Sequence, residues 1–316
     1  MTGGRCVVFG YSEVGVRCLK ALHSLGAEVA LVVTHEDDPN EHRWYGSVAE
    51  TARDLGMPVT APESAADPAL RASIERIAPD FIFSFYYRHM IAPELLALAR
   101  HGALNMHGSM LPKFRGRAPV NWAVAEGATE TGATLHHMVG KPDAGDIVGQ
   151  LAVPILGDDT AQEVFAKVLV AAEVVLWRAW PALLRGDAPR LPQDLSQGSY
   201  FGRRRPEDGR IDWRAPARRI HDLVRAVAPP YPGAFTDLPE GRLFIHRTRR
   251  LARRGATEGR GAPVRIVLRD DRPIIECADG EDLELLDGRM GERSADRKST
   301  RLNSSHEWIS RMPSSA

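Results

Sequence analysis

Short apolar segments alternate with helical segments over the first 110 residues, and this alternation restricts the possible folds more than any other feature of the chain. Apolar runs at residues 6–9, 28–34, 81–85 and 103–106 predict strands, and apolar side chains recur at helical spacing between them, as over 13–25. Strands that are apolar throughout are typical of parallel sheets covered by helices. We therefore predict the α/β class, with a Rossmann-like, mostly parallel sheet and helices on both faces.

The turn after the first predicted strand runs from Gly10 to Gly15 and lacks the G-x-G-x-x-G spacing. In dinucleotide-binding enzymes that spacing brings a pyrophosphate against the N-terminus of the following helix. Its absence disfavours a hydride-transfer enzyme that uses this turn. We expect the sheet to bind another ligand at the carboxyl ends of its strands, where ligands bind in open α/β sheets.

The pattern changes in the second half of the chain. A long helical segment at 160–184 leads into a connector rich in Gly, Arg and Pro at 198–206, and then into a helix at 215–227. Short strand-like segments separated by polar turns follow, which predicts a small C-terminal β-barrel (OB-like) subdomain, with a β-sandwich as the alternative. We predict a catalytic domain at residues 1–200 and a β-rich subdomain with a leading helix at 201–295. The strands of this subdomain are predicted at 242–246, 264–268, 273–278 and 282–286.

Residues 296–316 differ in composition from the rest of the chain, being rich in Ser and Arg, and their sequence resembles a translated sequencing adapter. We expect this segment to be a tail that is not native and that contributes nothing to the fold. The alternative is a natural disordered tail rich in Ser.

The composition limits the classes of partner. Hydrophobic residues make up 43% and charged residues 26% of the chain, as in ordinary globular proteins. The formal net charge of zero gives no overall attraction to nucleic acid or to an anionic membrane, so we expect neither as a partner. No stretch approaches the ~18 apolar residues of a membrane-spanning helix, and the N-terminus lacks a signal-peptide pattern. We therefore expect a cytoplasmic protein.

Cysteine and histidine usage gives no indication of a metal site. Cys6, Cys18 and Cys277 are too few and too widely spaced for a disulfide framework or a zinc cluster. Cys6 and Cys18 have apolar neighbours, and we expect them to be small core residues. His136 and His137 are adjacent in a predicted strand, so they face opposite sides of the sheet, and we expect a structural role for them. We expect no bound metal.

The segment from residue 103 to 150 carries the residues best suited to chemistry. Asn105 and His107 come two residues apart at the end of a predicted strand, so their side chains point to the same side of the sheet. Asp143 lies in a loop built from Gly and Pro after another predicted strand. An amide, an imidazole and a carboxylate suit acyl transfer to an amine, because together they stabilise an oxyanion and transfer a proton. The alternative for a strand that ends in Asn-x-His is a hydrogen-bonded anchor for a loop.

Sequence motifs longer than these three residues resemble those of a known protein family. The run NMHGSMLPKFRGRAPVNW at 105–122, with ETGATLH at 130–136 and DAGD at 143–146, resembles the folate-dependent formyltransferase family. The resemblance extends from about residue 5 to residue 290. Within the family it is greatest to the branch that formylates UDP-4-amino-4-deoxy-L-arabinose. The motifs that indicate this branch are FSFYYRH at 83–89, RGRAPVNW at 115–122, FGRR at 201–204 and RAVAPPYPGAF at 225–235.

The resemblance assigns roles to the three polar residues. It implies that Asn105 stabilises an oxyanion, that His107 transfers a proton, and that Asp143 raises the pKa of His107. Met110 and Phe114 stand where Leu and Tyr are common in the family, and neither position carries the implied chemistry.

The resemblance also implies binding residues. The donor, 10-formyltetrahydrofolate, would be bound by two segments, and Arg117 would contact the sugar nucleotide. Arg204 lies in a run of three arginines and is our second candidate for the acceptor, through its diphosphate. A solvated connector and a nucleic-acid patch are the alternatives for that run. The predicted folate-binding residues are His89, Met90, Ile91, Val139, Gly140, Lys141, Pro142 and Asp143.

The function that the resemblance implies is transfer of a formyl group to the 4-amino group of UDP-4-amino-4-deoxy-L-arabinose, a step of the lipid A modification that gives polymyxin resistance. The neutral amine would attack the formyl carbonyl while Asn105 and a protonated His107 donate hydrogen bonds to its oxygen. Formylation of methionyl-tRNA, or of another nucleotide-linked amino sugar, is the alternative within the same chemistry. A non-catalytic nucleotide-binding module is the alternative outside it.

Overall fold

The computed structural model describes residues 3–36, 44–251 and 264–291, together with the backbone of residues 300–301. Packing divides the chain into two compact units, each built from segments that are not continuous in sequence. Unit 1 comprises residues 1–119, 130–154 and 165–202, and unit 2 comprises residues 120–129, 155–164 and 203–316. The predicted domain boundary at residues 200 and 201 stays a prediction.

Strands and helices alternate over the first 110 residues, as predicted, and further strands and helices follow up to residue 201. The strands are β1 Arg5–Gly10, β2 Glu28–Val33, β3 Val59–Thr60, β4 Phe81–Phe85, β5 Gly102–His107, β6 Arg115–Gly116, β7 Glu130–His137, β8 Ile147–Pro154 and β9 Tyr200–Phe201. The helices are α1 Ser12–Ser24, α2 Val48–Asp54, α3 Pro68–Ile77, α4 Pro93–Leu96, α5 Pro119–Ala125 and α6 Ala161–Arg185.

A seven-stranded sheet forms the centre of unit 1, in the order β3-β2-β1-β4-β5-β7-β8. The first five strands in this order pair in parallel, whereas β7 pairs antiparallel with both β5 and β8. The predicted Rossmann-like fold class is therefore confirmed. Helix α3 has no counterpart among the predicted elements. Its buried stripe is short, Leu70 and Ile74, and its start is fixed by Asp67, whose side chain accepts a hydrogen bond from the backbone N–H of Ala69.

Apolar side chains on the two faces of the sheet pack against different helices. On one face, α3 and α4 contribute Leu70, Ile74 and Leu95 to a buried cluster with residues of β1, β2, β4 and β5. On the other face, the ring of Trp180 in α6 lies 5.7 Å from the ring of Phe81 and 6.2 Å from the ring of Phe83 in β4. The sheet is thus covered on both sides, and functional side chains can be presented only at its edges.

Strand β5 carries polar residues on the face that α3 and α4 cover. Ala103 belongs to the buried cluster of that face, and Asn105 and His107 follow it at intervals of two residues. Because alternate residues of a strand share a face, both polar side chains continue the line of Ala103 towards the carboxyl end of β5. This is the edge at which the sequence predicts a ligand site.

Unit 2 is built around an antiparallel sheet with one helix packed on it. Its elements are α7 Ala217–Ala226, β10 Ala234–Leu238, β11 Gly241–Arg250, β12 Arg265–Arg269, β13 Arg272–Glu276, β14 Asp282–Gly291 and β15 Thr300–Arg301. The strand order is β10-β11-β14-β13-β12, with β15 paired to β14. The β-rich character and leading helix of the C-terminal part are thereby confirmed. Of the predicted non-native tail, residues 296–299 and 302–316 lie outside the described residues, and its origin stays a prediction.

Two further observations concern predictions made from composition. Cys6 and Cys18 are fully buried, as expected of small core residues. Among the described residues, no helix has both the length and the apolar character that crossing a bilayer requires.

The packing of α6 can be tested with two leucines of the same helix. Leu176 is fully buried and Leu184 is 36% exposed. We expect Leu176→Ala to lower the free energy of unfolding by about 2–5 kcal/mol, because it removes buried methyl groups and leaves a cavity. Leu184→Ala changes the helix propensity by the same amount, but it should lower the free energy of unfolding clearly less than Leu176→Ala does. Urea unfolding followed by tryptophan fluorescence measures both losses. Equal losses for the two variants would contradict the described packing of α6.

Candidate active site

Four polar side chains lie on one face of the β5–β7 pair. In this antiparallel pair Asn105 is opposite His136, and His107 is opposite Thr134. Directly opposite residues of neighbouring strands project to the same side of the sheet. The register therefore brings His136 and Thr134 next to the two residues that the sequence singled out on β5.

His107 is 5% exposed and both of its ring nitrogens face protein groups. Its Nε2 lies 2.9 Å from the carbonyl oxygen of Phe114. A carbonyl oxygen only accepts hydrogen bonds, so Nε2 carries a proton and donates it. The other nitrogen, Nδ1, lies 3.6 Å from Oδ1 of Asp143. This distance allows an ion pair but is too long for a direct hydrogen bond. Nδ1 is therefore the atom at which His107 gains or loses a proton.

The pKa of His107 is lowered from its ordinary value, chiefly because burial disfavours the charged imidazole. The Asp143 carboxylate and the Phe114 carbonyl act in the opposite direction, and the neighbouring His136 lowers the pKa slightly further. The sequence analysis expected Asp143 to raise this pKa. Asp143 does so, but burial outweighs it, and His107 is mostly neutral near pH 7.

Asp143 connects the two histidines with the loop that precedes α5. Its Oδ2 accepts a hydrogen bond of 2.9 Å from the backbone N–H of Gly116. Its Oδ1 lies 3.6 Å from Nδ1 of His107 and 3.6 Å from Nε2 of His136. Burial alone would raise the pKa of the Asp143 carboxyl, but His107, His136 and the Gly116 N–H together hold it well below its usual range. Asp143 is therefore ionised throughout the ordinary pH range.

His136 orients the amide of Asn105. Its Nδ1 lies 2.8 Å from the carbonyl oxygen of His137, so Nδ1 carries a proton and Nε2 of the neutral ring is an acceptor. Nδ2 of Asn105 lies 3.1 Å from this Nε2 and donates to it. Within the described residues the second N–H of the Asn105 amide has no protein partner. The amide is thus held in one orientation with one donor left for a ligand.

From the sequence we expect a structural role for His136 and His137, and the structure adds that His136 contacts Asn105 on β5. The two side chains do face opposite ways, but the face of His136 is the one that carries Asn105 and His107. The information needed to find this was the antiparallel register of β7 against β5. Local sequence does not contain that register, although the Asn-x-His pattern on β5 and the Thr-x-His pattern on β7 are consistent with it.

Thr134 fixes the loop that follows β5. Its hydroxyl donates to the carbonyl oxygen of Ser109 at 2.6 Å and accepts from the backbone N–H of Leu111 at 3.2 Å. The amide of Gln150 on β8 donates to the same hydroxyl at 2.8 Å and to the carbonyl oxygen of Leu111 at 2.8 Å. This loop leads to Phe114, so these hydrogen bonds help to place the carbonyl oxygen that holds Nε2 of His107.

The loop that carries Asp143 folds back over the sheet. It starts at the level of Ala103, whose carbonyl oxygen accepts from the backbone N–H of Met138 at 2.8 Å, and returns to His107. Gly145 permits this path, because a Cβ at that position would lie 2.1 Å from the carbonyl oxygen of His137. Asp143 itself has a φ of 53°, a left-handed conformation that Asp adopts more readily than most residues.

The predicted folate-binding residues lie in two places. His89 and Met90 follow β4 and are exposed, Met90 at 66%, whereas Ile91 is buried in the cluster beneath. Val139, which is 47% exposed, belongs to the loop that ends at Asp143, together with Gly140, Lys141 and Pro142. Folate binding by these residues stays a prediction.

The two arginines predicted to contact the acceptor belong to different units. Nη2 of Arg117 donates to the carbonyl oxygen of Arg88 at 3.0 Å in unit 1, and no acidic side chain among the described residues pairs with it. In unit 2, the guanidinium of Arg204 lies 4.5 Å from the centre of the Trp122 ring and donates to the carbonyl oxygen of Asp208 at 3.1 Å. Substrate binding by both residues stays a prediction.

Among the described residues, no group of three or more His, Cys, Asp or Glu side chains is arranged to hold a metal ion. The contacts of His107, His136 and Asp143 are hydrogen bonds and ion-pair distances.

Comparisons with known proteins match most of the chain to two family models. Residues 5–180 match the family model described as Formyl transferase, and residues 204–300 match the model described as Formyl transferase, C-terminal domain.

Solved structures with a similar fold include those of three named proteins. The N-formyltransferase from Helicobacter canadensis, in complex with folinic acid and dTDP-3-aminofucose, is 18% identical, with a TM-score of 0.68 over 90% of this chain and 98% of that chain. WlaRD, a sugar 3N-formyl transferase solved with dTDP and 5-N-formyl-THF, is 18% identical, with a TM-score of 0.70 over 96% and 99%. Glycinamide ribonucleotide transformylase 1 from Symbiobacterium toebii is 22% identical, with a TM-score of 0.53 over 61% and 94%. These structures share the fold.

The electrostatic link between Asp143 and His107 can be measured directly. We expect Asp143→Asn to lower the pKa of His107 further, because the carboxylate that stabilises the imidazolium is removed while burial remains. NMR titration of the ¹⁵N-labelled histidine rings gives this pKa. The control is Asp146→Asn, since Asp146 raises the pKa of His137 and has no such effect on His107. An unchanged or raised pKa of His107 in Asp143→Asn would refute the link.

Proposed function

Because the chain belongs to the formyl transferase family, we propose that it transfers the formyl group of 10-formyltetrahydrofolate to the amino group of a nucleotide-linked amino sugar. UDP-4-amino-4-deoxy-L-arabinose is the acceptor that we propose first. Membership of the family makes the chain a formyl-transferring enzyme. The identity of the donor and of the acceptor is our proposal, as are the role in lipid A modification and the cytoplasmic location that follow from it.

The observation that carries the proposal is the convergence of an amide, an imidazole and a carboxylate from distant parts of the sequence. Nδ2 of Asn105 is oriented by His136, and Nδ1 of His107 lies 3.6 Å from Oδ1 of Asp143. Formyl transfer to an amine requires a donor for the charge that develops on the formyl oxygen and a base for the amine proton. In our proposal, Asn105 is that donor, His107 is that base, and Asp143 stabilises the charged form of His107.

His107 acts as the base in this proposal. Burial keeps its imidazole neutral near pH 7, so Nδ1 can take the proton of the attacking amine as the new C–N bond forms. The Asp143 carboxylate stabilises the imidazolium that results, and the Phe114 carbonyl fixes the ring through Nε2. The same proton is then returned to the folate nitrogen as its bond to the formyl carbon breaks. From the sequence, a protonated His107 was expected to donate a hydrogen bond to the oxyanion. The lowered pKa of His107 favours the neutral form instead.

Asn105 donates the hydrogen bond to the formyl oxygen. One of its two N–H groups is occupied by His136, and the other has no partner in the described part of the protein. A donor held in place before the reaction stabilises developing charge without reorganisation. In this assignment His136 is a positioning residue, since it acts on the reaction through the orientation of Asn105.

Two exposed apolar side chains in the predicted folate-binding segments support a folate donor. Val139 and Met90 expose large apolar side chains, 47% and 66% respectively, although most apolar side chains of this unit are buried. Exposed apolar groups beside a few oriented polar groups are typical of sites that bind flat, partly apolar ligands. A bound folate would supply the formyl carbon, and Val139 and Met90 would cover its ring system.

Two arginines of the loop after β5 support a phosphorylated acceptor. Arg115 is 8% exposed and Arg117 is exposed, and within the described residues neither forms an ion pair with a carboxylate. A buried cation without a counter-ion is unfavourable unless a ligand supplies the negative charge. Arginine binds phosphate oxygens through two parallel hydrogen bonds, which suits the diphosphate of a sugar nucleotide. The solved structures with dTDP-3-aminofucose and with dTDP show that this fold binds such ligands in those proteins.

Methionyl-tRNA is the less favoured acceptor. It requires a basic surface for the RNA backbone, but many arginines of unit 2 are paired with acidic side chains, such as Arg249 with Glu284 and Arg250 with Glu281. The chain as a whole has a formal net charge of zero. Both observations favour a small acceptor.

A panel of acceptors tests the proposed function. The protein is incubated with 10-formyltetrahydrofolate and, separately, with UDP-4-amino-4-deoxy-L-arabinose, a set of UDP- and dTDP-linked amino sugars, and initiator methionyl-tRNA, and formamide products are detected by mass spectrometry. We expect formylation of a nucleotide-linked amino sugar. Formylation of the tRNA alone, or no product from folded protein and fresh substrates, would refute the proposal.

A single substitution tests the role of Asn105. We expect Asn105→Ala to lower kcat by roughly 100- to 1000-fold, the usual cost of removing one oxyanion donor. The KM values should change much less, because the hydrogen bond forms mainly in the transition state. Gln197→Ala removes an exposed amide elsewhere in unit 1 and serves as the control. A kcat of Asn105→Ala equal to that of the control would exclude this role.

A further inference from the structure

Residues 191–201, which we call the strap, contact both loops that hold the active-site groups. The strap follows α6 and ends with β9, which pairs in parallel with β6. It lies between the two stretches that match the family models, residues 5–180 and 204–300. All of the contacts described below are within unit 1.

Gln193 of the strap holds the loop of Asp143. Its Nε2 donates to the carbonyl oxygen of Asp143 at 3.1 Å and to the carbonyl oxygen of Gly145 at 2.6 Å. Both partners can only accept, so the orientation of the Gln193 amide is determined. The backbone N–H of Leu191 also donates to the carbonyl oxygen of Ile147 at 3.0 Å, which fixes the strap to the start of β8. The backbone of Asp143 and of the residues that follow it, as far as Ile147, is therefore attached to the strap.

Ser199 of the strap holds the loop of Phe114. Its hydroxyl accepts a hydrogen bond of 2.8 Å from the backbone N–H of Phe114, and its carbonyl oxygen accepts one of 3.0 Å from Arg115. The rings of Phe114 and Phe201 are stacked at 5.6 Å. Gly198 allows the close approach, because a Cβ there would lie 2.4 Å from the carbonyl oxygen of Pro112.

The two residues held in this way both have left-handed backbone conformations. The φ of Asp143 is 53° and that of Phe114 is 55°. Such conformations are unfavourable for residues other than glycine, especially for bulky ones, and persist only where the surroundings enforce them. Asp143 presents its carboxylate to His107, and Phe114 presents its carbonyl oxygen to the same ring. The strap therefore fixes the backbone behind both contacts of His107.

We propose that Gln193 and Ser199 are positioning residues that set the proton affinity of His107, Gln193 through the Asp143 carboxylate and Ser199 through the Phe114 carbonyl. Both lie outside the two stretches that match the family models. This inference rests on the proposed function, in which His107 is the base. Without the strap contacts, the two strained residues relax and the carboxylate moves away from Nδ1. The charged form of His107 then loses its stabilisation.

Gln193→Met and Gln197→Met form a matched pair for the test. Both remove an amide and introduce no charge, but Gln193 is half-buried against two carbonyl groups, whereas Gln197 is exposed in the same strap. In the full-length protein we expect Gln193→Met to lower the pKa of His107 in an NMR titration. We also expect it to lower kcat by about 10- to 100-fold, as for small displacements of reacting groups, with little change in KM. Gln197→Met should leave both quantities unchanged.

Ser199 is tested by rescue. Ser199→Ala removes the acceptor for the Phe114 N–H, and Ser199→Thr retains a hydroxyl. We expect Ser199→Ala to lower the pKa of His107 and kcat, and Ser199→Thr to restore both. Equal values for the two variants, or a His107 titration in Gln193→Met that matches the Gln197→Met control, would overturn the proposal. Circular dichroism and thermal unfolding confirm that each compared variant is folded.

The readouts separate this inference from the proposed function. If the wild-type protein formylates no acceptor but the His107 titration responds to Gln193→Met and not to Gln197→Met, the proposed function fails and the positioning role stands. If the wild-type protein is active and His107 titrates identically in both variants, the proposed function stands and the positioning role fails.

Discussion

The carboxylate of Asp143 is the group on which the arrangement of the site depends. It accepts the Gly116 N–H and faces Nδ1 of His107 and Nε2 of His136. His107 is buried, and a buried imidazole can accept a proton only if a nearby negative charge stabilises the product. Asp143 supplies that charge at 3.6 Å, close enough to stabilise an imidazolium but without a direct hydrogen bond that would hold the proton permanently.

Much of the frame of the site could be predicted from sequence because it depends on local periodicity. Apolar strands alternating with helices indicated the parallel sheet, and the two-residue spacing of Asn105 and His107 placed them on one face. Because both residues come at the end of the predicted strand, they were expected at the carboxyl edge of the sheet. Asp143 was found because a loop rich in Gly and Pro follows a strand, although its path back over the sheet depends on Gly145 avoiding the carbonyl of His137.

The remaining features depend on contacts between distant residues. His136 belongs to the site because β7 pairs antiparallel with β5 in one particular register, which no local pattern specifies. Gln193 and Ser199 lie about 50 and 85 positions from the residues they hold. Ser199 falls in the predicted connector at 198–206, and Gln193 lies just before it, where the sequence predicts no element. The direction of the His107 pKa also required the structure, because the opposing effects of burial and of Asp143 can be weighed only once the depth of the ring is known.

These features share one physical cause. A base that is neutral at rest and charged in the reaction needs a buried ring with a carboxylate beside it, and that carboxylate must reach the ring from a loop rather than from the sheet. The geometry places Asp143 and Phe114 in left-handed conformations, which their own segments do not favour. The free energy that maintains these conformations must come from contacts with other segments. Gln193 supplies such a contact to Asp143, and Ser199 supplies one to Phe114. In our proposal, the chemistry of Asn105, His107 and Asp143 therefore depends also on Gln193 and Ser199, which belong to none of the motifs found in the sequence.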